Sequence, residues 1–336
     1  GCPERKSVTT KINIDGSCVR TIGEFDPNKF KGIDSVIHDL PIPIDHSWKL
    51  DTINDSTAVL TKEFENVSGL NNLYSSDASS LNVYKRKVEL RKKFRWFHTV
   101  FQYYETYGGL LTEIPLSNYL TEKEIEIFKA SDPDQRPEMI NLDSLARKSL
   151  LDNMEERFDY WFHDHLFSMF FDDLITIADS SHLIKITAID PTELKKVVRQ
   201  QVDKTGDIDL FSDDSMGIKE LTRIIGEEWG LDSVQMNHFQ EISVKVNLEE
   251  KYEKELFVGL SEDYDNKVNM PGLLIDTNAE IVEGDTLIWG VDLIKYIDSD
   301  FVMFAESKVT NRWAYILSGF IILIAVIIPF LGKLKR

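Results

Sequence analysis

The sequence predicts an α+β protein: an antiparallel β domain built from both chain ends, a large helical insertion, and one C-terminal transmembrane helix. Three observations predict it. Residues 1–110 and 241–312 are rich in short alternating apolar and polar runs punctuated by turn residues. Residues 111–240 carry apolar positions at helical spacing, and residues 313–332 contain no charge at all. Side chains alternate across a strand and recur every 3.6 residues on a helix, so the two periods separate the elements. Strands at both ends with helices between them form an α+β order.

The β domain opens with residues 8–24, VTTKINIDGSCVRTIGE, where Lys11 and Asn13 alternate with Ile12 and Ile14. Asp15-Gly16 separates two β-prone runs and suits the two positive φ angles of a type I′ turn, so a hairpin is predicted. Residues 26–47, broken by Pro27, Pro41 and Pro43, read as irregular. Trp48–Asn54 and Thr57–Phe64 form a second strand pair about Asn54-Asp55, and the Asn- and Ser-rich residues 66–82 a loop. Residues 84–107, YKRKVELRKKFRWFHTVFQYYETY, are basic first and aromatic afterwards. Their aromatic and β-branched content favours one long strand or two in succession.

The period changes at Thr121. Thr121-Glu122-Lys123-Glu124 has the form of a capping box ahead of Ile125, Ile127 and Phe128. A long helix is predicted from Leu142 to Ala178, with Leu145, Leu150, Met154, Phe158, Trp161, Phe162, Leu166, Met169 and Phe170 on its apolar side. Pro191 opens another helix reaching Val202, and residues 203–215 are a polar loop. Met216–Trp229 is an amphipathic helix stopped by Gly230, with a helical turn after Asp232. Strands then return at Ile242–Leu248, where SVKVNL alternates. Pro271 to Lys308 reads as LLIDTNAEIV, a turn at Glu283-Gly284-Asp285, TLIWGVDLI and FVMFAESKV.

Residues 313–332, WAYILSGFIILIAVIIPFLG, would reach about 30 Å as a helix, the thickness of a hydrocarbon layer. Trp313 and Tyr315 suit one interface, and Lys333, Lys335 and Arg336 in the short 333–336 tail suit the other. The basic tail favours the cytoplasmic side, which places the body outside the cytoplasm. Gly1-Cys2 followed by polar Pro3, Glu4, Arg5 and Lys6 reads as the end of a bacterial lipoprotein signal peptide, with Cys2 as the lipidation site. An accidental cysteine beside a trimmed end is the other reading. The expected location is the bacterial inner membrane with the bulk of the chain periplasmic; a eukaryotic tail-anchored protein facing the cytosol is the rival. Cys18 is a lone buried thiol if Cys2 is acylated, and otherwise the two could pair.

The INIDGSCVRTI hairpin, Thr277-Asn278-Ala279 with its strand, Gly284-Asp285-Thr286-Leu287-Ile288-Trp289 and the C-terminal helix resemble the LppM-type lipoproteins of mycobacteria. The resemblance implies a secreted-face β domain on a membrane helix, associated with lipid handling. It covers a minority of the chain and leaves out the helical insertion. The chain is also similar to envelope lipoproteins of Bacteroidetes-like bacteria, from which no activity carries over.

Net charge is -19, and setting aside the three cations after Arg312 leaves -22 on the preceding residues. That field repels phosphate backbones and anionic lipid surfaces, and nucleic acid is not an expected partner. The basic and aromatic run at 84–107 matches a single-strand platform in composition. A strand with one face in the core explains it too, with Phe94, Trp96, Phe97, Phe101 and Tyr103 as possible partner contacts. The helix at 142–178 is a second contact element. In His163-Asp164-His165 the two imidazoles point about 200° apart on a helix and cannot share an ion; Asp159 and His163, four apart, could. A polar, ion-paired helix face accounts for the same residues. The chain lacks a His-Glu-x-x-His pair, a cysteine cluster, an EF-hand loop, a Gly-x-Ser-x-Gly elbow and any phosphate-binding glycine loop. No catalytic residue, metal ligand or cofactor is therefore predicted. The expectation is a membrane-anchored extracytoplasmic binding or scaffold protein of the bacterial envelope, non-enzymatic, with membrane lipids and another envelope protein as partners. A lipid-binding or lipid-transfer domain and a metal-dependent hydrolase are the alternatives.

Overall fold

Asp15 and Gly16 close the first hairpin, though not as a two-residue type I′ turn. The Gly16 amide donates to the Asn13 carbonyl, the Asn13 amide to the Ser17 carbonyl, and Gly16 sits at φ +97°. A turn over Asn13–Gly16 thus ends in a left-handed glycine, the arrangement of a three-residue loop with a bulge. The Asp15 carboxylate accepts from both the amide and the hydroxyl of Ser17, which stabilises the longer loop.

The computed structural model describes residues 6–25, 42, 44–54, 57–74, 85–130, 133, 136–181, 190–205, 216–246 and 263–334. The strands are β1 (Lys6–Ile12), β2 (Cys18–Phe25), β3 (Lys49–Asn54), β4 (Thr57–Phe64), β5 (Arg86–Phe94), β6 (His98–Tyr107), β7 (Tyr264–Asn269), β8 (Leu273–Thr277), β9 (Ile281–Glu283), β10 (Thr286–Val291) and β11 (Phe301–Thr310). The helices are α1 (Asn71–Tyr74), α2 (Glu122–Phe128), α3 (Pro137–Ile140), α4 (Ser144–Ser180), α5 (Pro191–Thr205), α6 (Met216–Trp229), α7 (Ser233–Val246), α8 (Leu293–Tyr296) and α9 (Arg312–Leu334). The chain divides into two units. One comprises Gly1–Ala78, Tyr84–Gly109 and Glu262–Arg336; the other comprises Ser79–Val83 and Leu110–Ser261.

The first unit holds both sheets. One has strand order β3-β4-β2-β1-β7-β10-β9 and the other β5-β6-β11-β8. The two chain ends meet where β1 pairs with β7, and this ladder is parallel, from Lys6↔Tyr264 to Lys11↔Asn269. The expectation of a wholly antiparallel domain is corrected there. Parallel neighbours need a long crossover, and the intervening chain supplies one. Residues 84–107 form two strands rather than one, paired antiparallel from Arg86↔Tyr107 to Phe94↔Thr99.

In the second unit Thr121 caps α2, and Glu124 closes the capping box. Asp143 caps α4 by accepting from the Ala146 amide at 2.8 Å. At 1.5 Å per residue α4 is about 55 Å long. Its buried Leu166, Phe170 and Leu174 pack into one core with Val198 of α5, Ile225 of α6 and Phe239 of α7. The strand expected at Ile242–Leu248 is instead, as far as Val246, the end of α7. Phe239 and Ser243 are buried there, four residues apart on one helical face, so packing overrides the short alternating run.

The transmembrane helix expected at 313–332 is not upheld. A helix does follow β11 after the single residue Asn311, yet among the described residues no helix is long and apolar enough to cross a membrane. Cys2, Lys335 and Arg336 lie outside the described residues, as does the side chain of Lys333.

Candidate interaction surface

The surface begins with the turn between β5 and β6. The Arg95 amide donates to the His98 carbonyl at 2.8 Å, which folds the basic strand back on the aromatic one. Arg95, Trp96 and Phe97 occupy the exposed tip. Asn311, between β11 and α9, fastens that tip. Its side-chain amide donates to the carbonyls of Arg95 at 2.8 Å and Trp96 at 3.3 Å. Its side-chain oxygen accepts from the Thr99 hydroxyl at 3.1 Å, and its backbone amide donates to the Phe97 carbonyl at 2.9 Å. One asparagine thus joins the start of α9 to the tip through four hydrogen bonds.

Aromatic rings cover this joint. Phe94 stacks on Trp313 with centroids 6.2 Å apart, Trp96 meets Trp313 edge-on at 5.4 Å, and Phe97 lies 4.8 Å from Tyr315. The Trp96 indole donates to the Ser318 hydroxyl at 2.9 Å. All five rings remain between 42% and 59% exposed. They form a collar, apolar in body and polar at the Trp96 N–H, around the base of an apolar helix.

The exposed surface of that helix is apolar in several directions. At 100° per residue Ile316, Ile321 and Ile322 point in three directions roughly 120° apart. Each is more than half exposed. A helix that is apolar all round ordinarily needs an apolar partner all round.

Of the residues expected to contact a partner, Phe94, Trp96 and Phe97 lie in the collar. Phe101 and Tyr103 do not. Both are buried and face the opposite sheet, because alternation along β6 turns Phe101, Tyr103, Glu105 and Tyr107 inward.

The space they face is polar. The Arg20 guanidinium on β2 reaches Glu105 Oε2 at 2.8 Å and donates to Thr10 Oγ1 at 2.9 Å and to the Tyr74 hydroxyl. The same Glu105 oxygen accepts from Tyr103 at 2.6 Å and from Asn266 at 3.2 Å. Arg86 is also buried, its guanidinium carbon 4.5 Å from the Tyr107 ring centroid, 5.1 Å from that of Tyr74 and 5.7 Å from that of Tyr264. Burial opposes ionisation of Glu105, but Arg20 and Arg86 outweigh it and hold the carboxyl below its ordinary range. Burial likewise raises the hydroxyls of Tyr103, Tyr107 and Tyr264, so they stay neutral. Sequence reading passed over this network. Its signal lay in the alternation: Cys18, Arg20 and Ile22 share the buried side of β2. Cys18 is a buried free thiol, pushed up to about 11 by burial.

The histidine motif on α4 does not gather ligands. Asp159 and His163 are exposed, whereas His165 is buried against Trp161. Its Nε2 accepts from the Ile114 amide at 3.0 Å, while the Trp161 indole donates to the Ile114 carbonyl at 2.7 Å. Asp164 accepts from the Tyr119 hydroxyl and pairs with Arg199. His165 and Asp164 thus hold the 114–119 segment on α4. Among the described residues no group of three or more His, Cys, Asp and Glu side chains is placed to hold a metal ion. Comparison with family models, with curated proteins and with solved structures finds no match for this chain.

Proposed function

We propose that this protein is a non-enzymatic binding and scaffold component of a bacterial envelope, attached to a lipid surface through α9 and its aromatic collar. The observation that carries this reading is the exposure of apolar side chains on every side of α9, directly above a ring of Phe94, Trp96, Phe97, Trp313 and Tyr315. Water solvates such a surface poorly, and a lipid interface accepts both parts of it. Indole and phenol rings favour the boundary between acyl chain and headgroup, where an apolar body and a polar tip are both satisfied. The acidic unit formed by Leu110–Ser261 is then available to another envelope protein. The test is flotation of the purified full chain with phosphatidylcholine vesicles after detergent removal. Co-flotation of the wild type, weakened by replacing Trp96 and Trp313 with alanine, is the expected result. Wild-type protein remaining at the bottom of the gradient would defeat the reading.

A further inference from the structure

The cations of this acidic chain are unevenly placed. Lys93 on β5 and Lys308 on β11 both sit opposite Val100 of β6, so they flank it on the outward side of the four-stranded sheet. Two strand spacings separate them, about 10 Å. Arg95 stands at the hairpin tip and Arg312 begins α9. All four are exposed, and among the described residues none of their side chains has an ion-pair partner. Two other cations on β5 are engaged, whereas exposed Lys87 lies towards the far end of the strand from the tip. Arg91 pairs with Glu89 at 2.7 Å, and Lys92 donates to backbone carbonyls of the first hairpin. On the outward side of β11 and β8, Glu306 sits opposite Asp276 and accepts from Gln102.

We infer that the ring of Lys93, Arg95, Lys308 and Arg312 binds the phosphate groups of anionic lipids, making attachment selective for negatively charged surfaces. This rests on the lipid contact proposed above and adds which lipid is preferred. The chemistry is complementary at each level. Apolar α9 meets acyl chains, the collar meets the interfacial region, and the cations stand where headgroup phosphates would lie. Each cation at an anionic surface favours binding several-fold, and the attraction fades within a Debye length. The chain as a whole carries a net charge of -19 and would be repelled, so a local cationic ring is what permits approach.

The test compares flotation of the full chain with pure phosphatidylcholine vesicles and with vesicles containing phosphatidylglycerol. The anionic vesicles are expected to bind about tenfold more tightly at low salt, and that gain is expected to vanish at high salt. Lys93→Gln with Arg95→Gln should lose the gain and keep binding to neutral vesicles. Lys123→Gln with Lys148→Gln, exposed cations of the other unit, should keep both. Equal binding to the two vesicle types overturns the inference while leaving lipid contact intact. So does an equal loss in the two double variants. Failure to bind either vesicle removes both.

Discussion

Arg20 on β2 and Glu105 on β6 join the two sheets through a 2.8 Å contact between fully buried side chains. Removing either partner strands the other charge in a medium that cannot solvate it, at a cost of about 3 to 5 kcal/mol. Glu105→Gln is therefore expected to lower the unfolding free energy by roughly that amount in urea titrations. The double replacement Arg20→Met with Glu105→Leu should cost less than the sum of the single ones, because no charge is left alone. Additive losses would show that the two groups do not act as a pair.

The same carboxyl makes stability depend on acidity. Its folded value lies below the ordinary 4.5 because Arg20 and Arg86 outweigh burial. A depressed carboxyl contributes stability that is fully present above its unfolded value and is lost as pH falls through the folded one. Melting temperature is expected to be level from neutral pH down to about 5 and then to fall. Glu105→Gln should flatten part of that fall. A variant melting curve parallel to the wild type across this range would argue against it.

Asn311 predicts a local effect rather than a global one. Its side chain serves Arg95, Trp96 and Thr99 together. Asn311→Ala is expected to raise amide exchange at residues 94–99 and at the first turn of α9, with a loss of about 1 to 3 kcal/mol. Exchange unchanged at the hairpin tip would mean that the aromatic stacking alone holds it.

The elements with strong local signals were legible. The β3–β4 strand pair, the Thr121 capping box and the long helix α4 each carry their reason within a few residues, although Leu145 at the start of α4 is exposed rather than on a buried stripe. What failed depended on distant partners. SVKV has the period of a strand, but Phe239 and Ser243 face the helical core and keep it in α7. Phe101 and Tyr103 look like their exposed neighbours in composition; the second sheet, which covers one face of β6, is what buries them. The uncharged run at 313–332 reads as a spanning helix, whereas among the described residues no helix is long and apolar enough to cross a membrane. Asn311 gave no signal at all, since its four bonds join residues over two hundred positions apart to one another.

Glu124 offers a second, separable acid response. Arg157 hydrogen-bonds it from α4 and Thr121 from the cap, and together they outweigh burial to bring the carboxyl down to about 2. The group is partly exposed, so its contribution is screened to about 1 kcal/mol. That stability is present above the unfolded value of 4.5 and disappears as pH falls towards 2. Arg157→Met should raise the Glu124 carboxyl towards its ordinary value, read directly from its carbon chemical shift during titration. An unmoved titration would show that Thr121 and the helix start suffice.

Gly272 supplies the sharpest steric prediction. It sits between β7 and β8 at φ +85°, where side chains other than glycine are strained. A Cβ there would run into the carbonyl of Lys308 and a methyl of Val309 on β11. Backbone on one side leaves nothing that can swing away. Gly272→Ala is expected to cost about 2 kcal/mol or more, the sum of left-handed strain and displacement of a paired strand. Gly284, also left-handed at φ +64°, has open space where its Cβ would be, so Gly284→Ala should cost about 1 kcal/mol. Both sit in tight turns between strands, so the comparison isolates the clash. If the two variants unfold at the same urea concentration, the close approach of Gly272 to β11 is not what the turn depends on.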